Sequence, residues 1–290
     1  MAEKTCPTCG EGYRSLGQHW IRGDCEAPDI SDQQLAILDG LVLAGSHVRK
    51  GPKVHVQVSK VAFATWLLDG LDWLSANISE VHHETGTSYQ ISTESHPQLS
   101  RYETWPHHTD EKGRRPPEEY RLSPLAGRVW YSKSGWLQWS GAWDNQRAAC
   151  LRAQSEEKAT WIRRLLADID ELDLHPNRIH NRVQLSPTES NEWLEWIGEH
   201  VPGVAYKWCH SRIEYQALRE EPETEAEYIR AVARASLQVA CKRTDALMTP
   251  EKFDQIVDEV TAEQVIDWLG GSDWEETLEL VGIPDASNPF

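Results

Sequence analysis

Four potential metal ligands lie close together near the amino terminus of this 290-residue chain. Cys6 and Cys9 are separated by two residues, and His19 and Cys25 follow within the next sixteen. A Cys-x-x-Cys turn brings two thiolates to one ion, and a later His and Cys complete a tetrahedral shell with no vacant position. The pattern therefore predicts a structural Zn²⁺ site. Because so short a segment buries little apolar surface, the metal would supply most of its stability.

The overall charge restricts the classes of partner. The formal net charge is −17, which by itself argues against nucleic acid. The excess acid is uneven, however, because residues 211–290 hold 18 acidic and only 7 basic side chains. The acidic composition, with Arg more abundant than Lys, resembles that of proteins from extreme halophiles. We expect a protein of a halophilic archaeon, or of its virus or mobile element; an ordinary acidic mesophilic protein is the alternative.

The same composition argues against membranes. The amino terminus is polar, and no apolar run approaches the roughly 18 residues of a spanning helix. We therefore expect a cytoplasmic protein with no membrane partner.

Helix-capping residues and the spacing of apolar residues predict the helices and strands that would position a functional site. Ser31 and Gln34 form a capping box, which predicts a helix over 32–44. "KVHVQVS" alternates as a half-buried strand, "VAFATWLLDGLDWL" has helical spacing, "TSYQIST" is typical of a strand, and "HPQLSRYETW" of a short helix. After a polar connection, Ser123 and Pro124 begin a similar order, "LAGRVWYSK", "GWLQWSG", "SEEKATWIRRLLADIDEL", "NRIHNRVQLS" and "NEWLEWIG".

This order predicts an α+β fold built from two pseudo-twofold αββαββα units, with the strands forming a curved, saddle-like surface. We expect a zinc finger over 1–30, a first repeat over 31–111, a second over 118–209 and an acidic helical extension over 210–290. The extension contains "EKFDQIVDEV", "VIDWLGG" and "WEETLELVG", each with helix-start signals. We expect a monomer that contains an internal pseudo-dimer.

Residues 31–208 resemble LAGLIDADG homing endonucleases, particularly the single-chain versions of halophilic archaea. The resemblance rests on "LDGLVLAGSHV", "STESHPQLSRYETW", "LSPLAGRVWYSKSG" and "VPGVAYKW", in this order. In that family two such helices pack face to face and each ends in an acidic residue. The two carboxylates hold divalent ions over the scissile phosphates, where they stabilise the attacking and leaving oxygens.

The acidic positions are not acidic in this chain. An ungapped alignment places Gly45 at the first position and Lys133 with Ser134 at the second. Asp39 and Asp144 are the possible substitutes, but Asp39 lies within its helix and Asp144 beyond a strand. The resemblance therefore implies a degenerate enzyme with no catalytic residue and no catalytic Mg²⁺. We expect the helix to be retained for packing, because Gly40 and Ala44 permit close approach of a partner helix.

The resemblance also implies that the outward side chains of the sheets contact the major groove of double-stranded DNA. In the first repeat these would be Arg49, Lys50, Lys53, His55, Gln57 and Ser59. In the second they would be Gln138, Ser140, Asn145, Gln146 and Arg147.

Three alternatives remain open. The protein could be an active site-specific endonuclease, which magnesium-dependent cutting would reveal. It could bind RNA, because the same fold serves as an intron-splicing maturase. It could instead dock a protein partner through the acidic helices.

Overall fold

The structure, a computed structural model, describes residues 4–22, 25–49, 51–84, 86–106, 114–140, 146–222, 224–244, 248–261 and 264. The chain divides into two compact units. One contains residues 1–138 and 147–204, and the other contains residues 139–146 and 205–290. No described helix is both long enough and apolar enough to cross a bilayer.

The amino-terminal module, residues 4–22 and 25–30, consists of a two-stranded hairpin and one helix. Strands β1 (Lys4–Thr5) and β2 (Gly12–Tyr13) pair antiparallel, and helix α1 (Leu16–Ile21) follows. The Ser15 side chain accepts a hydrogen bond from the Gln18 amide and so caps α1. Cys6, Leu16 and Trp20 form a small buried cluster of their own.

The first sheet follows a buried helix. Helix α2 (Asp32–Leu43) begins at the capping box predicted from Ser31 and Gln34, which the structure confirms. Strands β3 (His47–Arg49), β4 (Lys53–Val58), β5 (Ser75–His83) and β6 (Gly86–Thr93) form an antiparallel sheet in the order β3-β4-β6-β5. Helix α3 (Val61–Leu71) and a 3₁₀ turn (Asp72–Leu74) connect β4 to β5, and a 3₁₀ helix (Pro97–Glu103) follows β6.

The second sheet also follows a buried helix. Helix α4 (Pro124–Ser134) leads directly into strand β7 (Gly135–Ser140). Strands β8 (Gln146–Arg152), β9 (Asn177–Ile179) and β10 (Arg182–Gln184) complete an antiparallel sheet in the order β7-β8-β10-β9. Helix α5 (Glu156–Ala167) connects β8 to β9, and helix α6 (Pro187–Trp196) follows β10.

Helices α2 and α4 pack directly against each other. A Cβ built on Gly40 would lie 2.5 Å from the Ala126 carbonyl oxygen and 2.7 Å from the Val129 Cβ. The helices therefore approach more closely at this point than any side chain would allow. This confirms the packing role predicted for Gly40.

The second unit is helical among its described residues beyond 205. It contains a 3₁₀ helix (Ala205–Trp208), α7 (Arg212–Arg219), α8 (Glu225–Thr244) and α9 (Pro250–Glu259). Ile213, Val232, Leu237 and Val257 belong to its own apolar core. The predicted helices "VIDWLGG" and "WEETLELVG" lie outside the described residues.

Two predictions of secondary structure need correction. "NRIHNRVQLS" is not one strand but the hairpin β9-β10, because His180 takes a left-handed conformation (φ 53°) that reverses the chain. Strands β5 and β8 lie where no strand was predicted. β5 pairs along most of β6 and completes the four strands of the first sheet.

Candidate metal site and nucleic-acid interface

The structure brings the four predicted zinc ligands together. One ligand atom from each of Cys6, Cys9, His19 and Cys25 lies within 4.8 Å of every other. The Sγ atoms of Cys6 and Cys25 are 3.9 Å apart, and the Cys9 Sγ is 3.6 Å from His19 Nε2. Zn–S bonds of about 2.3 Å at tetrahedral angles place two sulfur atoms about 3.8 Å apart. The cluster therefore fits a tetrahedral metal such as zinc.

Local electrostatics act in opposite directions on two of the cysteine ligands. Burial disfavours the Cys6 thiolate, but hydrogen bonds, those from the backbone of Cys9 and Thr8 among them, outweigh burial and lower the pKa of Cys6 to about 6. Burial and the neighbouring cysteines raise the pKa of Cys25 to about 11. A thiolate is the form that binds a metal. The His19 ring stacks on Tyr13 with centroids 3.8 Å apart, which fixes its orientation.

A buried carboxylate fastens the amino-terminal module to the first sheet. Glu94 follows β6 and is only 4% exposed. It accepts hydrogen bonds from the Gly17 amide at 3.2 Å and the Ser15 hydroxyl at 3.4 Å, and it pairs with the Lys4 ammonium at 3.3 Å. A buried charge with this many partners is costly to disturb. The module is therefore a fixed part of its unit.

Aromatic contacts reinforce this attachment. Trp20 lies edge-on to Trp73, with ring centroids 5.3 Å apart, and to His96 at 5.5 Å. The His96 Nε2 is 2.8 Å from the Pro28 carbonyl oxygen. A Cβ on Gly17 would lie 2.8 Å from the Ser95 backbone nitrogen, so α1 rests directly on the chain after β6.

Gly45 forms the turn that ends α2. Gly45 has φ 87°, and its amide donates to the Val42 carbonyl while the Ser46 amide donates to the Leu41 carbonyl, both at 3.0 Å. This is the Schellman arrangement, in which glycine takes the left-handed position after the helix. Gly45 satisfies backbone groups at this position and presents no side chain.

The tip of α4 carries a hydroxyl and an ammonium. The Ser134 hydroxyl donates to the Trp130 carbonyl at 3.0 Å, within its own helix. The Lys133 ammonium reaches across to α2 and donates to the Ala44 carbonyl at 3.1 Å. We call residues 44–46 and 133–135 the helix tips. Among the described residues, the amino-terminal cluster is the one grouping of three or more metal-ligating side chains close enough to share an ion.

Asp39 does not substitute at the tips. It lies within α2, is 8% exposed, and accepts a hydrogen bond from the Tyr102 hydroxyl at 2.6 Å. Burial raises its pKa, although Tyr102 and Arg101 partly oppose this shift. Asp39 is therefore a structural polar contact in the core. Asp144 lies outside the described residues.

The outward face of the first sheet, which we call the polar sheet face, is defined by register. His47 pairs with His55, His55 with Ser92, and Gln57 with Gln90. Val54, Val56 and Val58 point the other way, into the core. The outward positions of the four strands whose side chains are described are His47, Lys53, His55, Gln57, Asn77, Ser79, Val81, His83, Ser88, Gln90 and Ser92. None of them is Asp or Glu, in a chain with 46 acidic residues.

Side chains on this face also bond to one another. The Gln57 amide donates to the Ser88 hydroxyl at 2.7 Å and contacts His83 Nε2 at 3.1 Å, while His83 and Ser88 are 3.0 Å apart. Such contacts hold the amide in one orientation. Lys53 and His55 are half-buried, and Ser59 is exposed just beyond β4. Lys50 and the side chain of Arg49 lie outside the described part of the chain.

The residues of the second repeat that were predicted to contact DNA differ in their burial and in the unit to which they belong. Gln138 is half-buried on β7, whereas Ser140 and Gln146 belong to the second unit. Arg147 is 7% exposed, and its guanidinium donates to the Asn191 side chain on α6 at 2.8 Å, so its predicted outward orientation is wrong. Asn145 lies outside the described residues.

Several outward residues were missed by the sequence reasoning. Asn77, Ser79 and His83 lie on β5, which was not predicted. Ser88, Gln90 and Ser92 lie on the predicted strand "TSYQIST", where their alternation with Tyr89 and Ile91 was a usable signal.

These features define an α+β protein in which two buried helices pack together and each leads into an antiparallel sheet. No protein-family model and no curated protein matches the sequence.

Solved structures are similar in fold. The homing endonuclease I-WcaI bound to its DNA recognition sequence matches with 15% identity and a TM-score of 0.53, over 70% of this chain and 96% of that chain. The N-terminal LAGLIDADG domain of DUF199/WhiA matches with 14% identity and a TM-score of 0.37, over 64% and 90%. Full-length DUF199/WhiA from Thermatoga maritima matches with 12% identity and a TM-score of 0.38, over 90% and 94%. The match to I-WcaI, the one of these three with a TM-score above 0.5, shows that the chain has a homing endonuclease-like, LAGLIDADG-like fold.

Proposed function

We propose that this chain is a double-stranded DNA-binding protein that does not cleave its target. The observation that carries the proposal is the contact between the Lys133 ammonium and the Ala44 carbonyl at the helix tips. Two-metal cleavage requires anionic oxygen ligands at these tips. A tethered ammonium, a glycine terminator and a hydroxyl already bonded to Trp130 provide none.

The polar sheet face supports DNA as the partner. Its amides, imidazoles and hydroxyls both donate and accept hydrogen bonds, and Gln in particular matches the major-groove edge of adenine. Because its positions hold no acidic residues, no carboxylate on this face repels a phosphate at close range, in spite of the net charge of −17. A solved relative in fold, I-WcaI, was seen bound to its DNA recognition sequence.

The amino-terminal module takes a structural part in this proposal. A Zn²⁺ ion held by Cys6, Cys9, His19 and Cys25 would fill a closed shell, which leaves no position for a substrate. The attachment through Glu94 and Trp20 makes the metal a support for the first sheet.

The first experiment tests binding. Full-length protein loaded with zinc is used to select duplexes from a random pool, and the enriched duplex is compared with a scrambled duplex and a structured RNA. We expect specific duplex binding that Gln57→Ala weakens and Gln255→Ala, on α9 of the second unit, leaves unchanged. Preference for the RNA, or equal affinity for enriched and scrambled duplexes, contradicts the proposal.

The second experiment tests cleavage. Supercoiled plasmid carrying the enriched sequence is incubated with the protein and Mg²⁺ or Mn²⁺. We expect neither nicked nor linear product. Metal-dependent cutting at the enriched site shows instead an active endonuclease, with ligands supplied from elsewhere in the chain.

A further inference from the structure

Three side chains on the polar sheet face form one hydrogen-bonded cluster. The Gln57 Nε2 atom on β4 lies 2.7 Å from the Ser88 Oγ on β6 and 3.1 Å from the His83 Nε2 on β5. The His83 Nε2 and the Ser88 Oγ are 3.0 Å apart, so each of the three atoms contacts both others. Gln57 and His83 are exposed, whereas Ser88 is only 7% exposed. The cluster therefore combines a buried hydroxyl with two side chains that a ligand can reach.

With His83 neutral, the nitrogen end of the Gln57 amide fits the cluster. A neutral imidazole can accept a hydrogen bond at one ring nitrogen, and the amide nitrogen is a donor. The Ser88 hydroxyl can donate to the Val81 carbonyl oxygen at 3.3 Å, which leaves its lone pairs to accept from Gln57. The Gln57 Oε1 is then the free end of the amide, because no other described residue forms a hydrogen bond with it.

With His83 protonated, the oxygen end of the amide fits instead. An imidazolium donates from both ring nitrogens, so the His83 Nε2 and the Gln57 Nε2 would be two donors 3.1 Å apart. Rotation of the amide by half a turn puts Oε1 in this place, where it accepts from the imidazolium and from the Ser88 hydroxyl. The amide nitrogen then becomes the free end. One proton on His83 thus exchanges an outward acceptor for an outward donor.

Other ionisable groups act on His83 from a greater distance or from the other face. The charged or titratable side chains on β4, β5, β6 and the residue after β5 are Lys53, His55, Glu80, His82, Glu84 and Tyr89, besides His83 itself. Glu80, His82 and Tyr89 belong to the opposite face of the sheet, by register. Lys53 and His55 precede Gln57 on β4 and lie away from the β5–β6 turn, next to which His83 lies. Glu84 follows β5 and is exposed.

We infer that Gln57 reads one base of the DNA target and that protonation of His83 switches the base it prefers. This inference rests on the proposed function and specifies how the polar sheet face selects a sequence. With Oε1 free, Gln57 can accept from the N6 amino group of adenine. With Nε2 free, it can only donate, which suits O6 of guanine or O4 of thymine. Ser88 and His83 are positioning residues, because they act through the Gln57 amide.

The first measurement locates the base pair that Gln57 reads. The enriched duplex is changed one base pair at a time, and its affinity for zinc-loaded, full-length wild type and Gln57→Ala is compared at pH 8. We expect one pair at which wild type prefers adenine to guanine by about tenfold and Gln57→Ala shows no preference. The preferences at all other pairs should be the same in both proteins.

The second measurement is the ratio of affinities for the adenine and guanine duplexes at pH 8 and pH 6, a range in which imidazoles take up a proton. The wild-type ratio should fall from about ten to one or below. His83→Asn keeps a polar side chain that does not titrate, so its ratio should be the same at both pH values. His82→Asn is the matched control, because His82 contacts Thr87 on the other face, and it should respond to pH as wild type does. A general loss of affinity at pH 6 cancels in the ratio.

Ser88 provides a test of positioning with a conservative rescue. Ser88→Ala removes the hydroxyl that holds the amide, so the ratio at pH 8 should fall to near one. Ser88→Thr keeps a hydroxyl at this place and should restore the preference for adenine. An unchanged ratio in Ser88→Ala would contradict the positioning role.

The results distinguish this inference from the proposed function. Specific duplex binding with the same base preference at pH 8 and pH 6, or with the same pH response in His83→Asn as in wild type, overturns this inference alone. A preference for guanine or thymine at pH 8 does so as well. Failure of wild type to distinguish the enriched from the scrambled duplex overturns the proposed function, and this inference with it.

Discussion

Replacing Lys133 with Met should make the free protein more stable at pH 7. Burial lowers its pKa from 10.5 in an exposed lysine to about 8 in the folded chain. At 1.36 kcal/mol per unit, holding the charge in place at pH 7 costs about 3 kcal/mol. The Met variant loses the hydrogen bond to the Ala44 carbonyl, worth about 1 kcal/mol. The expected net gain is about 2 kcal/mol.

The sign of the pH dependence provides a sharper test. Between pH 8 and 10.5 the folded chain binds fewer protons at Lys133 than the unfolded chain, so wild-type stability rises with pH. The gain from Met should therefore fall toward zero by about pH 10. Urea unfolding of wild type, Lys133→Met and Lys133→Arg at both pH values measures the difference. In a thermal scan at pH 7 the gain corresponds to about 4–8 °C.

Two results would refute this reasoning. If Lys133→Met is less stable than wild type at pH 7, the contact between the Lys133 ammonium and the Ala44 carbonyl is net stabilising. If the gain is the same at pH 7 and pH 10, it comes from packing and not from charge. Lys133→Arg keeps the charge and should show no comparable gain.

Further predictions address the rest of the first unit. Cys9→Ser should bind less zinc than wild type, measured as metal equivalents per chain, and its tryptophan fluorescence should differ, because a metal held by the four ligands would order the amino-terminal module. Gly40→Ala should lower the free energy of unfolding by about 1–3 kcal/mol, since its Cβ would collide with Ala126; an unchanged melting temperature would contradict the helix packing. Asp39→Asn keeps an acceptor for the Tyr102 hydroxyl and removes a buried charge. Because burial raises the pKa of Asp39, the folded chain binds more protons at this residue than the unfolded chain does above pH 3.8, so wild-type stability falls as pH rises. The stability gained from Asn should therefore be larger at pH 7 than at pH 4.

Much of the fold could be predicted because its signals are local. The capping box at Ser31 marks the start of α2 as predicted, and the alternation of Val54, Val56 and Val58 marks β4. Side-chain caps and a period of two depend on neighbours a few residues away. The Cys and His spacing was equally local, and the structure gathers all four ligands.

The features that the sequence did not predict depend on contacts between residues that lie far apart in the chain. β5 is polar on both faces over much of its length, so its sequence "SANISEVHH" shows no alternation; pairing with β6 creates the strand. β8 is buried at consecutive positions, which hides the same period. The burial of Arg147 depends on Asn191, more than forty residues away. The reach of Lys133 to Ala44 likewise requires the packed helix pair.

Gly45 has a consequence for any attempt to place a carboxylate at the tip of α2. An aspartate at this position would have to adopt φ 87°, which is strained for a residue with a Cβ, and would weaken the turn that ends α2. It would also arrive where an ammonium already occupies the Ala44 carbonyl. Installing a carboxylate at this tip would therefore require a change in the turn that ends α2 as well as a new side chain.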